Sequence, residues 1–175
     1  MQTVTAFGSS APKPGEREYD EAERLGAAFG AAGVAVCTGG YGGVMEAISK
    51  GAREAGAKAT GVTIVGGWGE PNRYLTRVVE RETLFARVET LIAEGDAYVA
   101  LPGGTGTLLE IAAVWEFLNK GFLDPKPFVA VGEMWAPTIE AMDARLKAEG
   151  RQTGRVARAR NADEAARTIL AALGR

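Results

Sequence analysis

The run Leu101-Pro102-Gly103-Gly104-Thr105-Gly106-Thr107-Leu108-Leu109-Glu110 joins an apolar strand pattern to an amphipathic helix pattern through a glycine-rich turn. Gly103, Gly104 and Gly106 give the backbone access to φ > 0 and to close approach by a bound group. The helix start that follows offers unpaired N–H groups and the positive end of a dipole, which together make an anion site. Glu110, in the first turn of that helix, would weaken phosphate binding if that were the only task. The combination points to a phosphate held beside a reacting centre.

The residue types that are missing narrow the chemistry further. None of the 175 residues is histidine, so a Ser-His-Asp triad, a Cys-His pair, HExxH zinc chemistry and histidine acid–base catalysis are excluded. Carboxylates, Arg, Lys, Tyr and backbone N–H groups are left to act. Cys37 is the single cysteine, so a transition-metal site is not expected, and neither a metal nor a cofactor is assigned. Cys37 lies in an apolar run without an intrachain partner, and the N-terminus lacks a charged segment followed by a long apolar one. The cytoplasm is the expected compartment. No apolar stretch approaches the roughly 20 residues of a membrane helix. The net charge of -2 and pI of about 5.4 point to neither a nucleic acid nor a membrane as partner. The cluster Arg151 to Arg160 reads as exposed or interface surface.

Around these residues, short apolar strand patterns alternate with helix-periodic segments. Strands are expected at Val4 to Phe7, Val34 to Cys37, Thr60 to Val65, Ala97 to Leu101 and Phe128 to Val131, with short extended pieces at Arg77 to Val79 and near Val156. Helices are expected over Glu16 to Ala32, through Val44, Ala47, Ile48 and Gly51, and over Glu82 to Glu94, Thr107 to Asn119 and Pro137 to Glu149. Asn161, with Glu164 three residues on, reads as the N-cap of a last helix that ends near Leu173. Continuous apolar strands joined by helices indicate an α/β, Rossmann-like, doubly wound parallel sheet with helices on both faces. At 46% hydrophobic content, residues 1–175 suffice for one nucleotide-binding domain that buries roughly 70% of its unfolded surface. In such sheets ligands sit beyond the carboxyl ends of the strands, near the switch in strand order. Three Gly- or Ser-rich turns fall there: Gly8 to Ser10, Thr38 to Gly43, and Pro102 to Thr107. Each alone is equally a tight turn of the scaffold, and their convergence is the stronger signal. The loop Gly66 to Tyr74, with Trp68, either covers a site or merely connects.

The second turn departs from the dinucleotide fingerprint, since Met45 stands where the third glycine of GxGxxG belongs, and no turn ends in the Gly-Lys-Ser/Thr of a Walker A loop. The pattern Gly39, Gly40, Gly43, Met45, then Arg87, then Pro102-Gly103-Gly104-x-Gly106-Thr107-x-x-Glu110 instead resembles the family once labelled lysine decarboxylase-like. Its best-understood branch is the LONELY GUY type of cytokinin-activating phosphoribohydrolases. The resemblance covers about the first 135 residues and includes Phe7-Gly8-Ser9-Ser10. It implies that Arg87 and Glu110, at the family's spacing, are the catalytic pair. It also implies that Gly8, Ser9, Gly39, Gly40, Gly43, Met45, Gly103, Gly104, Thr105, Gly106 and Thr107 hold the phosphate or nucleotide. Departures are present: the family's Glu-Arg-Lys reads Ala86-Arg87-Val88, its Met-Gly reads Met45-Glu46, and Leu109 replaces an acidic residue. They resemble a side branch whose relatives include proteins proposed to carry molybdenum cofactor. The decarboxylase label fails on chemistry, because pyridoxal catalysis needs a Schiff-base lysine and none of the six lysines lies in the glycine turns.

The expected activity is hydrolysis of the N-glycosidic bond of a nucleoside 5′-monophosphate, such as a cytokinin riboside monophosphate or AMP, to free base and ribose 5-phosphate. Glu110 would stabilise oxocarbenium charge or activate water, and Arg87 would hold Glu110 ionised. The alternative is a non-hydrolytic carrier or sensor of a phosphorylated cofactor or nucleotide, for example a molybdenum cofactor carrier. An ordinary interhelix ion pair is the bland account of Arg87 and Glu110. The resemblance further implies a homodimer, for which Val114, Trp115, Phe117 and Leu118 are candidate interface residues, with core packing an equally good account of some of them.

Overall fold

A computed structural model describes residues 1–175. Seven strands form one sheet in the order β4-β3-β2-β1-β5-β6-β7. They are β1 (Thr3–Phe7), β2 (Ala35–Thr38), β3 (Ala59–Ile64), β4 (Arg77–Arg81), β5 (Ala97–Ala100), β6 (Phe128–Val131) and β7 (Ala157–Ala159). All six neighbouring pairs are parallel. The helices are α1 (Arg17–Ala31), α2 (Val44–Glu54), α3 (Leu84–Glu94), α4 (Thr105–Lys120), α5 (Ala136–Ala148) and α6 (Ala162–Ala172). The two extended pieces expected from sequence are the edge strands β4 and β7. No helix is long and apolar enough to cross a membrane.

Alternation along the strands sorts the core into two layers. Val4 and Ala6 of β1 join Leu25 and Phe29 of α1, Ile48 of α2 and Ile169 of α6 on one face. Phe7 joins Leu91 of α3, Val114 and Trp115 of α4 and Ile139 of α5 on the other. The sheet is thus doubly wound, with α1, α2 and α6 opposite α3, α4 and α5. This placement corrects the expected interface: Val114, Trp115 and Leu118 are core residues of the protomer. Phe117 is half-buried and packs edge-on against Phe122, with ring centroids 5.8 Å apart. The α4 positions that read as an outward apolar stripe are those that lie on the sheet.

Capping defines several helix ends. Thr83 Oγ1 accepts from the Ala86 amide at 3.2 Å and starts α3. Asn161 Oδ1 accepts from the Glu164 amide at 3.0 Å and starts α6 as expected, while Glu164 Oε2 reaches back to the Arg160 amide at 2.9 Å. α4 begins at Thr105, two residues earlier than expected, and its N-cap Gly104 supplies no side-chain cap.

The strand order reverses between β1 and β5, whose carboxyl ends therefore open a crevice. Ser9 clasps its floor: its amide donates to Pro102 O at 3.0 Å, and its carbonyl accepts from the Val44 amide at 2.8 Å. Behind the sheet, α1 and α2 pack with almost no side chain between them, since a Cβ at Gly51 would press on the backbone of Glu23 and lie 2.7 Å from the Ala27 amide. Gly51→Ala is expected to destabilise the protein by about 1–3 kcal/mol. Chemical denaturation checks this, and an unchanged midpoint would show that the two helices can part freely.

Candidate active site

Arg87 and Glu110 come from different helices and meet at the bottom of the crevice. Arg87, in the first turn of α3, donates from Nε to Val62 O at 2.7 Å and from Nη1 to Glu110 Oε1 at 3.3 Å. Both side chains are nearly enclosed, 6% and 11% exposed. The guanidinium fits because position 39 has no side chain; a Cβ there would collide with Arg87 Nη2 and lie 2.6 Å from Met45 Sδ. The Arg87 Cζ also lies 5.9 Å from the ring centre of Tyr41 and 5.9 Å from that of Trp68.

Burial sets the electrostatics of the pair. Loss of water raises the pKa of Glu110 from 4.5 to about 7, and the charge and hydrogen bond of Arg87 oppose that rise without cancelling it. This corrects the expectation that Arg87 holds Glu110 ionised: near neutral pH the carboxyl exists in both forms. Because the folded pKa lies above the unfolded value, this group's stabilising contribution is complete below about 4.5 and is lost as pH rises through about 7. A carboxyl titrating near 7 is suited to acid–base work.

Beside the pair lies a cleft of about 530 Å³, within the size range of small-molecule sites. Gly8, Ser9, Gly39, Met45, Gly104, Thr105, Gly106, Thr107, Arg87 and Glu110 all line it. Gly40, Gly43 and Gly103 do not; they shape the backbone behind it. Gly43 adopts φ 68°, and a Cβ there would strike the backbone of Ser9 and Ser10. The glycines of the α4 turn do not use the φ > 0 expected of them, as none of Gly103, Gly104 and Gly106 has positive φ, but they do allow close approach. At Gly104 and Gly106 a Cβ would meet nothing within 4 Å, so these residues leave room over the helix start.

The helix starts around the cleft are not equivalent. At α2, which also has no side-chain cap, the Val44 amide is already engaged by Ser9 O. At α4 no side chain caps the first turn, so the early amides are available to an anion. Ala6, Phe7, Ser10, Tyr41 and Gly42, not singled out as binding residues in the sequence, also line the cleft. Ser10, Tyr41 and Gly42 fall in the turns expected at the strand ends and Phe7 in the segment that carries the resemblance, whereas Ala6 carried no signal. Trp68 lines the cleft too, so its loop borders the site.

The profile of the SLOG cluster4 family matches residues 1–164. A cytokinin riboside 5′-monophosphate phosphoribohydrolase of Mycobacterium marinum is 32% identical over 131 residues, which span 69% of this chain and 64% of that relative, just under two thirds of its length. The molybdenum cofactor carrier protein of Chlamydomonas reinhardtii superposes with a TM-score of 0.79 at 24% identity, over 99% of both chains. The molybdenum cofactor binding protein of the phototrophic bacterium Rippkaea orientalis gives 0.78 at 21% identity, over 98% of this chain and 97% of its own. These two structures share the fold.

Removing the guanidinium should leave burial unopposed. Arg87→Met is expected to move the Glu110 titration midpoint upward by about one to two pH units, followed by carbon NMR of labelled glutamate. A midpoint unchanged at about 7 would show that the pair carries no charge coupling.

Proposed function

The chain belongs to the SLOG cluster4 family, and on that premise we propose that it is a nucleoside 5′-monophosphate phosphoribohydrolase. The observation that carries this reading is the buried Arg87–Glu110 pair, 3.3 Å apart, beside the uncapped start of α4 in one cleft. The phosphate is held by the first-turn amides of α4 with the hydroxyls of Thr105 and Thr107. The ribose then reaches Glu110. As the C1′–N bond breaks, its electron pair leaves with the base and positive charge builds on the sugar, where a carboxylate stabilises it. Water adds to C1′, Glu110 takes the proton from that water, and the base collects it. The products are free base and ribose 5-phosphate. Arg87 contacts ribose or leaving-group atoms through Nη2, since its hydrogen bonds within the chain use Nε and Nη1.

The substitutions around the pair favour one second reading. Val88, which stands in place of the family's lysine, is a core residue, and Leu109 replaces an acidic residue. A site with fewer charges for chemistry suits a carrier that binds a phosphorylated cofactor or nucleotide without cleaving it. We further assign a homodimer built from surfaces other than the inner side of α4. Leu84, Phe85, Leu108 and Phe122 are large apolar residues left exposed. The free, buried Cys37 accords with residence in the reducing cytoplasm.

Incubation with AMP or a cytokinin riboside monophosphate should release free base, and Glu110→Gln should slow that release by about 10²–10⁴-fold. Tight binding with no released base would favour the carrier. Because the carboxylate is the active form, kcat/KM should fall about tenfold per pH unit below the Glu110 pKa of about 7 and level off above it. A profile flat through this range would remove Glu110 from the proton transfer. In solution, mass measurement should give twice 18.3 kDa, and Phe85→Asp should shift the population to monomer; a monomeric parent chain would refute the dimer.

A further inference from the structure

Trp68 is 70% exposed and yet lines the cleft. Large apolar rings are rarely left this open without a partner. Its surroundings are built in detail. The Tyr41 ring lies 6.0 Å away, tilted by 60°. Tyr41 is itself buried, and its hydroxyl accepts from the Ile64 amide at 2.9 Å. The loop that carries Trp68 is pinned on both sides. Val65 N donates to Arg81 O at 3.0 Å, while Asn72 Nδ2 donates to Gly40 O at 3.2 Å and to Tyr41 O at 3.0 Å. Between the pins, Gly66 (φ 64°) and Gly69 (φ 136°) bracket the tryptophan. An exposed ring is thus held beside a buried one.

The start of α4 and Glu110, further along the same helix, line one cleft; Glu110 meets Arg87, and the Arg87 guanidinium lies 5.9 Å from the centres of both rings. A ligand whose phosphate sits on α4 and whose sugar lies at Glu110 has its third part beside Tyr41 and Trp68. We propose that Trp68, backed by Tyr41, stacks on the flat nitrogen heterocycle of the ligand and selects ligands that carry one. The proposal rests on the phosphate-binding reading given above and adds the element that recognises the base. Stacking suits a nucleobase because every base has a π-face. It also brings an apolar cover over the Arg87–Glu110 pair, which excludes water from the charges.

The test uses the full chain carrying Glu110→Gln, to suppress turnover, titrated calorimetrically with AMP and with ribose 5-phosphate. Adding Trp68→Ala should weaken AMP binding about tenfold and leave ribose 5-phosphate unaffected, and Trp68→Phe should recover most of the loss. Trp115 and Trp135 are buried, so AMP but not ribose 5-phosphate should quench tryptophan fluorescence, and Trp68→Phe should abolish that quench. Equal AMP affinity with and without Trp68, or an equal loss for both ligands, would overturn the stacking role while the phosphate site stands. Failure of the parent chain to bind either ligand would overturn the phosphate site and the stacking role together.

Discussion

The interaction on which the crevice depends is the one that Arg87 makes in several directions at once. Its Nε is held by the carbonyl of Val62 in β3, its Nη1 reaches Glu110 on α4, and its outer edge presses on Gly39 after β2. One side chain of α3 therefore ties the paired strands β2 and β3 to α4 across the crevice. Taking two charges out of water costs several kcal/mol per ion, and a pair at 3.3 Å returns only part of that cost. The residual strain is carried by Glu110 as a raised proton affinity. On the proposed reading, the feature that makes the pair a poor stabiliser of the fold is what makes it useful in the reaction.

The glycine turns divide their labour by which backbone groups they leave free. Neither α2 nor α4 has a side-chain cap, but the start of α2 spends its first amide on Ser9 and ties the scaffold together. On the proposed reading, the start of α4 holds the phosphate. The difference does not lie in composition, as both turns are rich in glycine. It lies in which helix start the carbonyl of β1's loop happens to reach, a consequence of the strand order.

Much of this architecture was legible in the chain. Apolar runs of four to six residues, such as Ala97–Ala100, cannot be mistaken for surface segments, and the Asn161 cap announces α6 through local chemistry alone. The Arg87–Glu110 meeting was legible only through family resemblance, because nothing local tells an arginine on one helix that a glutamate on another will be near it. Three features were misread for physical reasons. The glycines of the α4 turn were expected to offer both φ > 0 and close approach, whereas they supply only the space. The apolar side of α4 was read as an interface, whereas a helix lying flat on a parallel sheet hides more of its circumference than a stripe pattern implies. The ionisation of Glu110 was judged from its partner, whereas the depth of its burial outweighs that partner.

The clasp at Ser9 is made entirely of main-chain groups: its amide donates to the Pro102 carbonyl, and its carbonyl accepts from the Val44 amide. Its hydroxyl only accepts from the Ala11 amide in its own loop. The joint is therefore indifferent to the side chain at position 9, and among single replacements only proline, which lacks the N–H, removes one of its two bonds. Substitutions can accumulate there without loosening the crevice. Main chain alone joins β1 to the turns after β2 and β5 at this point, which leaves the Ser9 side chain, on the cleft wall, with no part in holding the fold.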